Sequence, residues 1–147
     1  MFKHILLPTD GSELSERALS SGIELAKTIG AKVTGLYALE SYPLTFYGEY
    51  VPADAFTPEE FESAEHKRAN DFLDHVKDLA KQAGVECDVT TASGVLPHEA
   101  IIDTATRLGC DLIYMATHGR RGISALLLGS ETTKVLTHSS IPVLAYR

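Results

Sequence analysis

The 147-residue chain has no tryptophan, and only two cysteines and two methionines. Cys87 and Cys110 are too few for a disulfide framework, and no C-x-x-C or His/Cys metal spacing occurs. No apolar stretch approaches the roughly 18 residues that cross a bilayer. Near the start, Phe2, Ile5, Leu6 and Leu7 make too short a run for a secretory signal and read instead as a first strand. Positive charge is also scarce: 13 Lys and Arg stand against 20 Asp and Glu, a formal net charge of −7. Without a long basic run, such a chain is poorly suited to a nucleic-acid backbone or an anionic membrane surface. These absences leave a soluble cytoplasmic domain as the expectation, with no nucleic-acid partner and no membrane insertion.

What is present suits one domain over residues 1–147. A chain of this size buries about two-thirds of its unfolded surface, enough for a core without staples. Short apolar runs alternate with longer amphipathic ones. Residues 2–7 read as a strand stopped by Pro8-Thr9-Asp10-Gly11-Ser12. Ser12 then caps a helix whose face is Leu14, Ala18, Gly22, Leu25 and Ile29, ended by Gly30. Residues 32–39 read as a second strand. The stretch 40–56 has two prolines and five aromatics (Tyr42, Phe46, Tyr47, Tyr50, Phe56) and no period; a loop this long is usually functional or a lid.

Thr57-Pro58-Glu59-Glu60 is the clearest helix start, with a capping Thr, Pro at the first position and Glu at the third. Its helix should run to Ala83, with Phe61, Ala64, Phe72, Val76, Leu79 and Ala83 inward. Its charged residues, among them Glu62, Glu65, Asp71, Lys67 and Arg68, read as a solvated face. A third strand spans 85–91, a helix 97–108, and a fourth strand 111–116, apolar after Asp111 and so expected to be buried on both faces. A Gly- and Arg-rich loop over 117–128, a short helix over 130–137 and a last strand over 142–146 complete the pattern. Strands alternating with helices predict an α/β fold, a doubly wound, mainly parallel sheet of five strands with four helices. Ligands in such sheets bind beyond the carboxyl ends of the strands, where strand order reverses. The informative loops follow strands one and four, which predicts that these two are neighbours.

The densest chemistry lies in 116–133. Glycines 119, 122 and 129 allow close backbone approach, and Gly129-Ser130-Glu131-Thr132 opens a helix whose free amides, with the Ser130 hydroxyl, make an anion seat. The alternative is an ordinary Gly-Ser helix start. Neither a Walker A loop nor G-x-G-x-x-G is present. Asp10 either accepts from ribose hydroxyls or helps to bind a metal, or it simply caps the first helix together with Ser12. His118 is placed to touch a ligand but has no nucleophile beside it; loop packing is its competing role. Glu99, following His98 at a helix start, suits the helix dipole. Cys87 and Cys110 read as buried small hydrophobes.

The Pro8-Thr9-Asp10-Gly11-Ser12 segment, the loop ending in Gly129-Ser130, and the final Ile141-Pro142-Val143-Leu144 together resemble the universal stress protein family over essentially the whole chain. The nucleotide-binding branch of that family has the pattern G-x2-G-x9-G-[ST]. Its second glycine falls on Gly119 and its end on Gly129-Ser130; its first falls on Ala116, a departure. The resemblance implies a Rossmann-like fold of the adenine nucleotide alpha hydrolase kind. It further implies ATP or AMP held with Mg²⁺ or Mn²⁺, Asp10 with the Pro8-Thr9 backbone against the adenosine, and Ala38 meeting the adenine by its backbone. Ala116 would approach the ribose and phosphate. Gly119, Gly129, Ser130 and Glu131 would hold phosphates, mostly by backbone amides, with Arg120 and Arg121 adding charge or else solvated. The implied role is regulatory, in stress response through an unidentified protein partner, with a homodimer built through residues 141–146. A slow ATPase and a nucleotide-free dimeric module are the alternatives.

Overall fold

The computed structural model describes residues 1–42, 57–94, 96–119 and 128–147. In chain order these form β1 (His4–Thr9), α1 (Glu13–Ile29), β2 (Lys32–Leu39), α2 (Pro58–Ala83), β3 (Cys87–Ser93), α3 (Pro97–Leu108), β4 (Leu112–Ala116), α4 (Ser130–His138) and β5 (Val143–Tyr146). All pairings are parallel, in the order β3-β2-β1-β4-β5, so β1 and β4 are indeed neighbours.

Local chemistry starts and stops the helices. The Ser12 hydroxyl accepts from Ser15 N–H at the head of α1, and left-handed glycines 30, 84 and 109 end α1, α2 and α3. Thr57 and Glu60 make a reciprocal capping box before α2. Because strand side chains alternate, the sheet divides its core. Ile5, Leu7, Val33, Leu112 and Tyr114 pack under α1 and α2, while Leu6, Leu36, Ile113 and Met115 pack under α3 and α4. Every residue of β4 is buried, as a continuous apolar run between two helical layers must be.

Three readings need correction. β1 does not stop at Pro8 but runs to Thr9, and β3 lies two residues later than its alternation suggested. In α2 the buried stripe is Glu65, Ala69, Leu73, Val76 and Ala80, and Ala64 is exposed. Steps of four, four, three and four residues make a regular helical stripe; the charge on Glu65 disguised it. That residue is 4% exposed and belongs to no solvated face: its Oε1 accepts the Glu40 N–H (3.1 Å) just past the end of β2.

Pro8 has a consequence at the centre of the sheet. Lys3 C=O accepts from Lys32 N–H and His4 C=O from Asp111 N–H, so odd residues of β1 bond β2 and even ones bond β4. Pro8 falls on the β4 side with no N–H to give. Pairing between β1 and β4 accordingly ends at Leu6 with Ile113, while β1 and β2 remain paired to Thr9 with Tyr37. Backbone pairing between the two central strands thus stops short of their carboxyl ends.

Candidate functional site

Where the pairing of β1 and β4 ends, four chain segments meet. The first is the turn after β1. Thr9 is buried, and its hydroxyl oxygen accepts from Gly11 N–H (3.1 Å) and from the Ser15 hydroxyl (2.9 Å). Asp10 Oδ1 accepts from Ser12 N–H (3.0 Å). Gly11 has φ +73°, and a side chain there would run into the Phe72 ring, which stacks on Tyr37 with centroids 5.9 Å apart. The Asp10 turn therefore rests on an aromatic pair supplied by α2 and β2.

The second segment is the end of β4. Ala116 is 8% exposed and belongs to the core cluster under α1 and α2. Its carbonyl accepts the Thr132 hydroxyl (3.0 Å). His118 is half-buried, its Nδ1 3.3 Å from the Thr117 hydroxyl oxygen. Gly119 lies against Asp10: a Cβ on residue 119 would collide with Asp10 Oδ2. The third segment is the end of β2, where the Thr9–Tyr37 register sets Ala38 level with Asp10. Pro8, Thr9, Asp10, Ala38, Ala116, His118 and Gly119 are thus gathered at one end of the sheet. Arg120 and Arg121 lie outside the described residues, as does most of the aromatic 40–56 stretch.

The fourth segment is the start of α4. Gly129 is its N-cap, with no capping side chain. Its amide donates to Thr117 C=O (2.7 Å), so Gly129 supplies space rather than a donor, contrary to the sequence expectation. A side chain at 129 would press within 3.1 Å of the His118 Cα and the Thr117 oxygen. Thr133 N–H is the first to find an acceptor in the helix, Gly129 C=O at 3.0 Å, so helix geometry leaves the amides of Ser130, Glu131 and Thr132 without one. Those amides and the helix dipole favour an anion.

The side chain of Glu131 turns elsewhere. Its Oε2 accepts from the His98 N–H (3.0 Å) and lies 3.1 Å from His98 Nδ1, while Oε1 accepts from Lys134 Nζ (2.9 Å). Burial by itself would raise this carboxyl, but the Lys134 and His98 hydrogen bonds outweigh it and hold Glu131 below the usual glutamate value. Sequence reasoning missed this bridge, the Thr132 bond to Ala116, and the seat of Gly11 on Phe72, although Phe72 itself was expected to face inward. Thr132 stands in the first turn of a helix where a hydroxyl is common, and nothing local marks its partner sixteen residues back. Among the described residues, no group of three or more His, Cys, Asp or Glu is placed to hold a metal ion, and no helix is long and apolar enough to cross a membrane.

A parallel five-stranded sheet with helices on both faces, opened at its switch point before an uncapped helix start, defines a Rossmann-like α/β protein. The chain belongs to the universal stress protein family, whose model matches residues 1–147. Universal stress protein MJ0531 of Methanocaldococcus jannaschii is 32% identical over 147 residues, covering all of this chain and 83% of that one. The solved structure of the hypothetical protein MJ0577 superposes with a TM-score of 0.82 at 28% identity, covering 99% of this chain and 96% of that one. A universal stress protein solved in complex with cAMP superposes with a TM-score of 0.72 at 26% identity, covering 99% and 97%. Membership gives the protein a stress-response role.

Proposed function

We propose that this protein binds an adenine nucleotide, ATP or AMP, in the crevice between β1 and β4, and that the bound state is what it signals to a protein partner. The observation that carries the reading is the uncapped start of α4, its three amides set beside the Asp10–Gly119 contact at the switch point. The donor set fits a phosphate: Gly129 puts no side chain over the amides, and the side chains of Glu131, Thr132 and Thr133 are bonded elsewhere. Ala116, which stands for the family's first glycine, keeps its methyl among core residues, which supports room for the ligand. A relative in complex with cAMP supports the choice of an adenine ring.

In this reading the amides of Ser130, Glu131 and Thr132, with the Ser130 hydroxyl and Gly119, hold the phosphates. Asp10 and the Pro8-Thr9 backbone face the ribose, Ala38 faces the base, and His118 lines the mouth; Arg120 and Arg121 would add positive charge, as the family resemblance implies. Mg²⁺ or Mn²⁺ would be carried on the phosphates, as these ions commonly are. The second copy of a homodimer would pair along residues 141–146, since β5 is a sheet edge with Leu144 exposed. Light scattering that found only monomer at all concentrations would remove that part.

Calorimetric titration of nucleotide-stripped protein with Mg·ATP tests the main claim, with Gly129→Val as the control. A micromolar constant, about −8 kcal/mol, is expected for the natural chain, and loss of binding for the variant. No heat at several temperatures from the natural chain would sink the reading and leave a nucleotide-free dimeric module. Steady ATP hydrolysis abolished by Asp10→Asn or His118→Ala would turn it into an enzyme.

A further inference from the structure

We infer that Glu131 is a positioning residue for the phosphate end of the crevice, fastening the mouth of α4 to the start of α3 through His98. The inference rests on the nucleotide reading and adds to it a residue that acts without touching the ligand through its side chain.

Helix α3 has Leu96 as its N-cap and no capping side chain of its own. Glu131 supplies the missing acceptor from the neighbouring helix, taking the His98 amide and meeting the His98 ring. His98 is 8% exposed and packs 6.0 Å, centroid to centroid, from the His138 ring, which holds the His98 end of the bridge in place, while the Glu131 side chain is half-buried. Among the described residues, the first turn of α4 is then fixed at three points. Gly129 N–H and the Thr132 hydroxyl bind the end of β4, through Thr117 C=O and Ala116 C=O. Glu131 binds α3. Two anchors to one strand leave the helix able to roll about the line joining them; the third, on another element, removes that freedom.

The charge argument points the same way. A carboxylate in the first turn of a helix competes for the amides there and repels an arriving phosphate. Here both of its oxygens are occupied, one by His98 and one by Lys134. The same bonds that orient α4 keep the carboxylate from acting as a rival ligand.

The test is titration of ATP and of adenosine against four proteins, with melting temperatures alongside: the natural chain, Glu131→Ala, His98→Ala, and His98→Asn, whose amide can replace the Nδ1 donor. Positioning predicts that Glu131→Ala loses about tenfold in ATP affinity, the scale of a hydrogen bond to a charged group, although it removes a negative charge. Adenosine affinity should hold. His98→Ala should follow in the same direction and His98→Asn should recover most of the loss. Tighter ATP binding by Glu131→Ala would overturn the inference, showing the carboxylate to be only a repulsive neighbour. Equal losses for ATP and adenosine, tracking the melting temperature, would overturn it as a purely structural role. Should Glu131→Ala not fold, the two His98 variants decide. A natural chain that binds neither ligand would instead remove the nucleotide reading on which the inference stands.

Discussion

The Asp10 carboxylate occupies the space that a side chain on residue 119 would need. The two residues come from the loops after β1 and β4, and their contact joins those loops beyond the point where β1–β4 pairing ends. Gly119 is therefore required by the fold of the turn, whatever binds beside it. Gly119→Ala should displace the carboxylate from Ser12 N–H and cost about 1 kcal/mol of stability, with weakened ATP binding. Adding Asp10→Ala to that variant should cost little more, since the two changes act on one contact. Full additivity in urea unfolding would show that the contact is not what couples them.

Glu65 offers a second test, because one helix carries both its buried carboxylate and exposed ones. Glu65→Ala leaves the Glu40 amide past β2 without that acceptor and should cost about 1–3 kcal/mol. Glu62→Ala, on the exposed face of the same helix, should change stability by less than about 0.5 kcal/mol. Thermal melts that ranked the two variants equally would contradict the buried role of Glu65.

At the other end of the sheet, His4 hydrogen-bonds the Thr34 hydroxyl (Nε2 to Oγ1, 2.7 Å). Burial, and then the charge of Lys32, push this imidazole below its ordinary 6.5, against a smaller opposing pull from Asp111. The unfolded chain therefore takes up the proton first as the pH falls. The contribution of His4 to stability is complete above about pH 6.5 and is lost as the pH falls through the lower, folded value. Urea midpoints between pH 7.5 and 5 should fall less steeply in His4→Gln than in the natural chain. Identical slopes would mean that other groups carry the acid sensitivity.

The thiols make a fourth case. Burial, followed by the nearby Asp111 charge, raises Cys110 to about 11, and burial raises Cys87 as well. Neither presents a thiolate near neutral pH. Folded protein should react slowly with a thiol reagent at both positions, Cys110 only upon unfolding, and the ATP titration should be the same after mild oxidant. Rapid modification of Cys110 in native protein would show that its layer opens.

The sequence carried the order and nature of the elements because those are local matters. Ser12, the Thr57-Pro58-Glu60 box and glycines 30, 84 and 109 act within one turn of themselves, and the apolar run of β4 reports its own burial. The family pattern likewise lies along the chain, which is why the residues from Asp10 to Gly129 could be named together. Contacts between distant segments were not legible. Pro8 was visible as a breaker, but only the bonds of Lys3 and His4 to opposite neighbours show that its missing N–H faces β4, where pairing ends. Gly119 was legible as a glycine and not as the partner of Asp10. Glu65 read as a surface charge and Glu131 as a phosphate-holding amide, because a carboxylate's charge says nothing of which amide it will meet. Local propensity fixes elements within a few residues, whereas hydrogen-bond partners across the sheet exist only once packing has brought them together.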